Sequence, residues 1–438
     1  MTDRRLARRT FLAASVCSGA LPYLLPEGIL AAPGRPGAGQ RITVAHIGVG
    51  GMGSAHLANM KEFRSQGAVN IAAVCDADEK RLQGAAASAG PGVTPYRDYR
   101  YILDRKDVDA VVIATPDHWH AVQCVHACES GKHVYVEKPA SVTIAEGKAM
   151  VAAARKHNRV VQVGSQARSA KPAHDACTYL RNGMLGTIRK VTCWHDPCPT
   201  GGTAPDRPPP PELDWDLWLG PLRWRPYNPG YGPATFRWIM ESGGGQIRDR
   251  GAHVMSTILW CLDADRQTPV AVHATGSPPN KGLWDCPPLM RVEYTFANPD
   301  WQLIWEQPGK ARGPGGFGMV FHGDKDTLVV CRDGTRIDAE PKARQFRIPA
   351  GGVAVYRMDK FADYNMNHKE DFFQAIKTGK RSCMDIEIGH RVATLCNLGN
   401  LSYVLGRKLR WDGQKQEVAG DDQANRLLAR PQRHPYHL

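Results

Sequence analysis

Three polar residues carry the densest chemical signal in the chain: Lys138 in Glu137-Lys138-Pro139, and Asp249 with His253 in the run from Gly243-Gly244-Gly245 to Gly251-Ala252-His253. Oxidising an alcohol needs a base for the hydroxyl proton and a cation for the developing alkoxide. Lys138 offers an ammonium, and His253 offers an imidazole that titrates near neutral pH. The spacing of four puts Asp249 and His253 one helical turn apart on a common face, so the carboxylate is expected to orient the imidazole.

Such chemistry also needs a hydride acceptor, and Gly48-Val49-Gly50-Gly51-Met52-Gly53 has the form of a site for one. It follows a strand directly and opens a helix. Gly48 permits the tight turn, Gly50 lets backbone approach a pyrophosphate, and Gly53 allows close helix–strand packing. Gly51 and Met52 begin the helix whose free N–H groups favour phosphate. Asp76 ends the second strand, where a carboxylate can accept both ribose hydroxyls and repel a 2′-phosphate. NAD is therefore favoured, while Arg81 a few residues on keeps NADP open.

These residues need a scaffold, and the pattern from Arg41 supplies one. Strands Ile42–Gly48, Val69–Cys75, Ala110–Ala114, His133–Val136 and Val160–Gly164 alternate with helical stretches 52–66, 78–89, 118–130 and 144–157. That rhythm predicts a parallel, doubly wound sheet with helices on both faces. The loop holding Thr115, Pro116 and His118 and the loop holding Glu137 and Lys138 then fall at the carboxyl edge, where open α/β sheets bind ligands. Residues 197–236 read as mostly loop, and 270–348 as short antiparallel strands. Helices are expected over 369–377 and 387–405. The resulting division is an export signal and linker (1–40), a dinucleotide domain (41–165), an α+β substrate and assembly domain (166–412) and a tail (413–438).

Composition excludes several classes. Charged residues are 23% and hydrophobic residues 42%, a globular balance. The net charge of +13 is scattered without a basic run, so no nucleic-acid partner is expected. Paired arginines Arg8-Arg9 precede a moderately apolar stretch ending near Ala32, an export layout of the twin-arginine type that predicts a periplasmic protein. No later stretch approaches the length of a membrane span. Twelve cysteines lack CxxC spacing and read as buried thiols, acquired by folding before export. His195-Asp196-Pro197-Cys198 makes no tetrahedral ligand set, so no metal is expected. Tryptophans between Trp194 and Trp238 anchor long loops or stack on sugar faces. An open sheet over 270–348 would need a covering partner, which predicts a homo-oligomer.

Taken together, GxGxxG, the Thr115-Pro116 loop, Glu137-Lys138-Pro139 and GGGxxxDxxxH resemble the glucose-fructose oxidoreductase/inositol dehydrogenase family, Gfo/Idh/MocA, over about residues 41–412. Trp215-Asp216-Leu217-Trp218-Leu219-Gly220-Pro221 and Asn367-His368-Lys369-Glu370-Asp371-Phe372 resemble its exported bacterial branch. The resemblance implies an N-terminal Rossmann domain, a C-terminal α+β domain with a largely antiparallel open sheet, and NAD-dependent oxidation of a sugar, sugar derivative or cyclitol. It implies catalytic Lys138, Asp249 and His253, substrate contact by Lys138, His253 and Arg168, and a loop histidine that is His118 or His120. The alternatives are redox-assisted glycoside cleavage and a non-catalytic, dinucleotide-bound sugar sensor.

Overall fold

A computed structural model of the chain describes residues 41–438, apart from 233, 313–315, 334–335 and 356–359. The expected export segment lies outside the described residues. Strands β1 Ile42–Ile47, β2 Val69–Cys75, β3 Thr94–Tyr96, β4 Ala110–Ile113, β5 His133–Glu137 and β6 Val161–Gly164 form one sheet in the order β3-β2-β1-β4-β5-β6. All its pairs are parallel. Helices α1 Gly51–Ser65, α2 Glu79–Ala89, α3 His120–Glu129 and α4 Ile144–Lys156 connect the strands. Covered on both faces, β4 is buried at every residue, which explains its unbroken Ala-Val-Val-Ile. Chain order reverses between β1 and β4, so the loops leaving those strands part and open a crevice.

The second sheet joins β7 Ile188–Trp194, β8 Ala271–Gly276, β9 Met290–Phe296, β10 Trp301–Gln307, β11 Phe317–Gly323, β12 Thr327–Asp333, β13 Arg336–Ala339, β14 Leu409–Asp412 and β15 Glu417–Val418. Their order is β13-β12-β11-β7-β10-β9-β8-β14-β15, antiparallel except for β7 with β10. Along β9, buried Met290, Val292, Tyr294 and Phe296 alternate with exposed Arg291 and Glu293. The outward side of this strand carries charge, with Arg291 paired to Glu293 and Glu306. Among the described residues no helix is long and apolar enough to cross a membrane.

Helices α5 Lys171–Arg181, α6 Gly251–Cys261, α7 Tyr364–Thr378 and α8 Ile386–Leu405 fill the space between the sheets. Two glycines set how closely they approach. A Cβ at Gly389 of α8 would lie 2.3 Å from Val163 Cγ2 on β6, and one at Gly147 of α4 would lie 2.2 Å from His390 Nδ1 on α8. Helix α7 begins at Tyr364, five residues before the expected start, behind the cap Asp363, which accepts the Asn365 N–H. Its Met366, Phe372 and Phe373 belong to the same core as Phe63 and Tyr135 of the first sheet.

A polar seam runs beneath that contact. Glu137 accepts from His56 Nε2 at 2.8 Å and Gln166 Nε2 at 2.6 Å. The fully buried Lys369 donates to Asn59 Oδ1 at 2.9 Å. Beside them His46 has no partner among the described residues for either ring nitrogen, and burial with His56 and Lys369 nearby pushes its pKa down to about 3. Burial also pushes His368 down to about 3. Between pH 3 and 6.5 the unfolded chain therefore binds protons that the fold refuses. Stability is full above pH 6.5 and declines as pH falls, by about 1.4 kcal/mol per pH unit for each such histidine. We predict that His46→Leu loses about 2 kcal/mol less than the parent between pH 6.5 and 5. Urea midpoints that fall in parallel would refute this.

Candidate active site

The crevice above β1, β2, β4 and β5 is a cleft of about 820 Å³. Its first wall is the glycine turn. Gly48 has φ +83°, and a Cβ there would lie 2.6 Å from Thr115 N; one at Gly53 would lie 2.0 Å from Gly48 O. Gly50, Gly51 and Met52 line the cleft, and nothing stands within 4 Å of the Gly51 Cβ position. The turn therefore offers open backbone at a helix N-terminus, as a pyrophosphate needs. Asp76 also lines the cleft, with Oδ2 accepting Val49 N–H at 2.9 Å and Oδ1 accepting Asp78 N–H at 3.0 Å. Burial raises its pKa. A nicotinamide dinucleotide fits this arrangement of bare turn and terminal carboxylate.

Thr115 and Pro116 form the next wall, with Thr115 Oγ1 donating to Gln123 Oε1 at 2.7 Å. Of the two loop histidines, His120 lines the cleft. Its Nδ1 lies 2.8 Å from Pro139 O and its Nε2 3.0 Å from Thr115 O, so the ring ties the two loops together. His118 is not among the residues that line the cleft, a correction to its expected cofactor role. Its Nε2 meets Trp218 O at 3.0 Å, and burial pushes its pKa down to about 3, so the neutral ring donates to that carbonyl. Asp117, just before His118 and missed by the sequence reading, lines the cleft with a carboxyl that burial lifts to about 6.

At the inner end Lys138 Nζ donates to Asp249 Oδ1 at 2.6 Å and Asp249 O at 3.0 Å. Burial alone would raise the Asp249 carboxyl, but Lys138, Arg237 and Arg250 outweigh it and hold the group well below the usual carboxylate range. Glu137, one residue before Lys138, is likewise kept ionised in spite of burial, at about 2, chiefly by its bond from His56. The expected Asp249–His253 hydrogen bond is absent. The helical turn Gln246–Asp249 ends at Arg250, and α6 starts anew at Gly251, so the four-residue spacing spans a break. Asp249 instead faces Lys138, Arg237 and Arg250. His253 Nδ1 is buried without a partner among the described residues; burial and Arg332 push the imidazole well below its ordinary pKa, so it is neutral.

Arg168 corrects a second expectation. All five of its N–H groups are engaged: Nε with Ser256 Oγ, Nη1 with Asp265 Oδ2 and Cys383 O, Nη2 with Asp265 Oδ1 and Ser256 O. Nothing remains for a substrate. Arg237, in contrast, lines the cleft and no sequence signal marked it.

A strap closes the outer end. Glu212 O accepts Glu79 N–H at 2.9 Å, Asp214 N–H reaches Ala77 O at 3.0 Å, and Asp78 bridges Leu213. Trp215 and Trp218 stack at 4.8 Å and line the cleft, so the loop tryptophans are at once anchor and wall. The last residues hold the strap: Arg430 donates to Glu146 Oε1 at 2.8 Å and His118 O at 3.0 Å, and Arg433 donates to Gly220 O at 3.1 Å.

A parallel sheet with a bare glycine turn and a lysine-bearing loop at its carboxyl edge defines a dinucleotide-dependent oxidoreductase fold. Family models agree. The oxidoreductase-family NAD-binding Rossmann fold matches residues 42–165, and that family's C-terminal alpha/beta domain matches residues 187–310 and 345–438. The chain belongs to the Gfo/Idh/MocA family of NAD-binding oxidoreductases.

Inositol 2-dehydrogenase 1 of Saccharopolyspora erythraea is 34% identical over 155 residues, 35% of this chain and 45% of that one. A glycosyl hydrolase family 109 protein of Shewanella pealeana is 29% identical over 209 residues, 42% and 44% of the two chains. The match thus spans under half the length of these curated relatives. Among solved structures, the WlbA dehydrogenase of Bordetella pertussis in complex with NADH and UDP-GlcNAcA has TM-score 0.63 and 18% identity over 85% of this chain and 99% of that one. Levoglucosan dehydrogenase with NADH and levoglucosan has TM-score 0.61 and 23% identity, covering 85% and 99%. These two likenesses show the fold. Among the described residues no group of three potential metal ligands occurs.

The Arg168 geometry yields a prediction. Arg168→Met leaves Asp265 without its guanidinium and should cost about 3 kcal/mol, seen as a fall in Tm, while KM for substrate stays near the parent value. An unchanged Tm with a sharply raised KM would return Arg168 to the substrate.

Proposed function

We propose that the protein is an NAD-dependent oxidoreductase acting on an alcohol of a sugar, sugar derivative or cyclitol. The observation that carries this reading is the Lys138 ammonium at the inner end of the cofactor cleft, held 2.6 Å from Asp249 Oδ1. Bound nicotinamide supplies the hydride acceptor. Lys138 spends two N–H groups on Asp249 and keeps a third for a substrate oxygen, so it can orient the hydroxyl and stabilise its alkoxide. Asp249 fixes the lysine rather than the histidine. The neutral His253, past the break at Arg250 and lining a small cavity with Phe317 and Arg332 rather than the cleft itself, is the proton acceptor in this reading. The carboxylate of Asp76 beside the glycine turn supports NAD over NADP. The relative named glycosyl hydrolase family 109 keeps redox-assisted glycoside cleavage as a second reading, separable by product masses.

Lys138→Met and His253→Ala should each lower turnover about a hundredfold or more with cofactor still binding; Tm should change little in His253→Ala and fall in Lys138→Met, which strands the Asp249 carboxylate. Asp249→Asn should lie between them and the parent. Near-normal turnover in Lys138→Met with cofactor bound would overturn the assignment.

We also propose that residues 1–40 direct export of the folded chain through the twin-arginine route. Arg8→Lys with Arg9→Lys should leave the precursor folded in the cytoplasm, and its arrival in the periplasm would point to another route.

A further inference from the structure

Three cations converge on the Asp249 carboxylate. Lys138 Nζ lies 2.6 Å and Arg237 Nε 3.3 Å from Oδ1, and Arg250 Nε lies 3.3 Å from Oδ2. One would neutralise it. A fourth, Arg332, flanks the Phe317 ring at 5.6 Å, and Arg250 flanks the same ring at 5.7 Å. Two more carboxyl groups line this end of the cleft: Glu137, held ionised chiefly by its bond from His56, and Asp117, which burial drives toward its neutral form. Like charges gathered this way repel one another and weaken the fold unless a further anion joins them.

The donors left over say where that anion would sit. Lys138 and Asp249 are closed off, with 11% and 7% of their side chains exposed, whereas Arg237, which lines the cleft, and Arg250, which borders it through Asp249 and Phe317, stand open at 29% and 40%. Arg237 gives Nε to Asp249 and Nη1 to Ala234 O, and its Nη2 has no partner among the described residues. Arg250 offers only Nε to Asp249, which leaves both terminal nitrogens unused among the described residues. Planar guanidinium groups with spare N–H pairs match the geometry of a carboxylate or phosphate.

We propose that the substrate is an anionic sugar whose acid group is held by Arg237 and Arg250 while the hydroxyl to be oxidised meets Lys138. This rests on the oxidoreductase reading and narrows its substrate class. The aromatic pair Trp215 and Trp218 lies toward the strap, so charge, not stacking, selects the ligand at this end.

The test is calorimetric titration of the full chain, loaded with NADH, with matched pairs: D-glucose against D-glucuronate, D-galactose against D-galacturonate, and D-glucose against glucose 6-phosphate. At least one acidic member should bind about tenfold or more tightly than its neutral partner, with the gain shrinking as salt is raised. The uronates and the phosphate identify which acid is read. Arg237→Gln with Arg250→Gln should bring the ratio close to one, while Arg237→Lys with Arg250→Lys keeps part of it. Arg189→Gln, on the exposed face of β7, should leave it unchanged. If the double glutamine variant does not fold, the more exposed Arg250→Gln alone carries the test. Equal or tighter binding of the neutral member in all pairs, or a ratio that survives the double substitution, overturns the proposal. In the same chain loaded instead with NAD+, neutral sugars that reduce bound cofactor where acidic ones do not would sink it and leave the oxidoreductase reading intact. Acid-selective binding without any nicotinamide reduction would do the reverse.

Discussion

The Lys138–Asp249 ion pair is the interaction on which the rest of the site depends, because it is formed by two domains and neither could place it alone. Both side chains are almost buried. An ammonium and a carboxylate taken out of water attract strongly but lose solvation, so the pair is favourable only when geometry and further hydrogen bonds are right. Removing one member strands the other at a cost of about 3–5 kcal/mol. Much of the surrounding structure reads as the means of getting that geometry right.

On the lysine side, β5 ends at Glu137, which His56 and Gln166 hold from below, while His120 clamps the Pro139 carbonyl. On the aspartate side, Gly244 and Gly245 take φ values of +71° and +78°, a region that suits glycine. Helix α8 fixes the loop they form: Asn400 donates to Gly244 O at 2.9 Å, and Arg248 donates to Asn397 Oδ1 at 2.7 Å. The same helix is drawn against β6 and α4 by the bare Gly389 and Gly147. A side chain at either glycine would push the domains apart and lengthen the ion pair, far from any ligand.

Much of this was legible in the residues. Alternating apolar strands and helices gave the parallel sheet, and the glycine turn gave the crevice, because both depend on local chemistry. Strand β3, Thr94–Tyr96, was not legible, since three residues around a proline make no pattern. Nor was the use of Asp249: spacing along the chain pointed to His253, and only the break at Arg250 with a lysine from another domain decides otherwise. Arg168 stood in a suggestive position, yet Asp265 and Ser256, about ninety residues away, absorb it. Arg237 carries no motif because its place in the cleft comes from a loop that winds back from the second domain. The motif Asn367-His368-Lys369-Glu370 gains a meaning that sequence could not supply, for its His368 and Lys369 dock α7 onto the first domain.

The central claim is that the ammonium fixed by Asp249 serves oxidation of a substrate carbon at the bound nicotinamide. The most direct measurement follows a label rather than a rate. Protein carrying NAD would be incubated with sugars deuterated at their ring carbons, and the cofactor recovered for mass spectrometry. The account predicts deuterium in the nicotinamide ring with the parent protein and almost none with Lys138→Met. Conversion of the sugar with no label passing through the cofactor would contradict it.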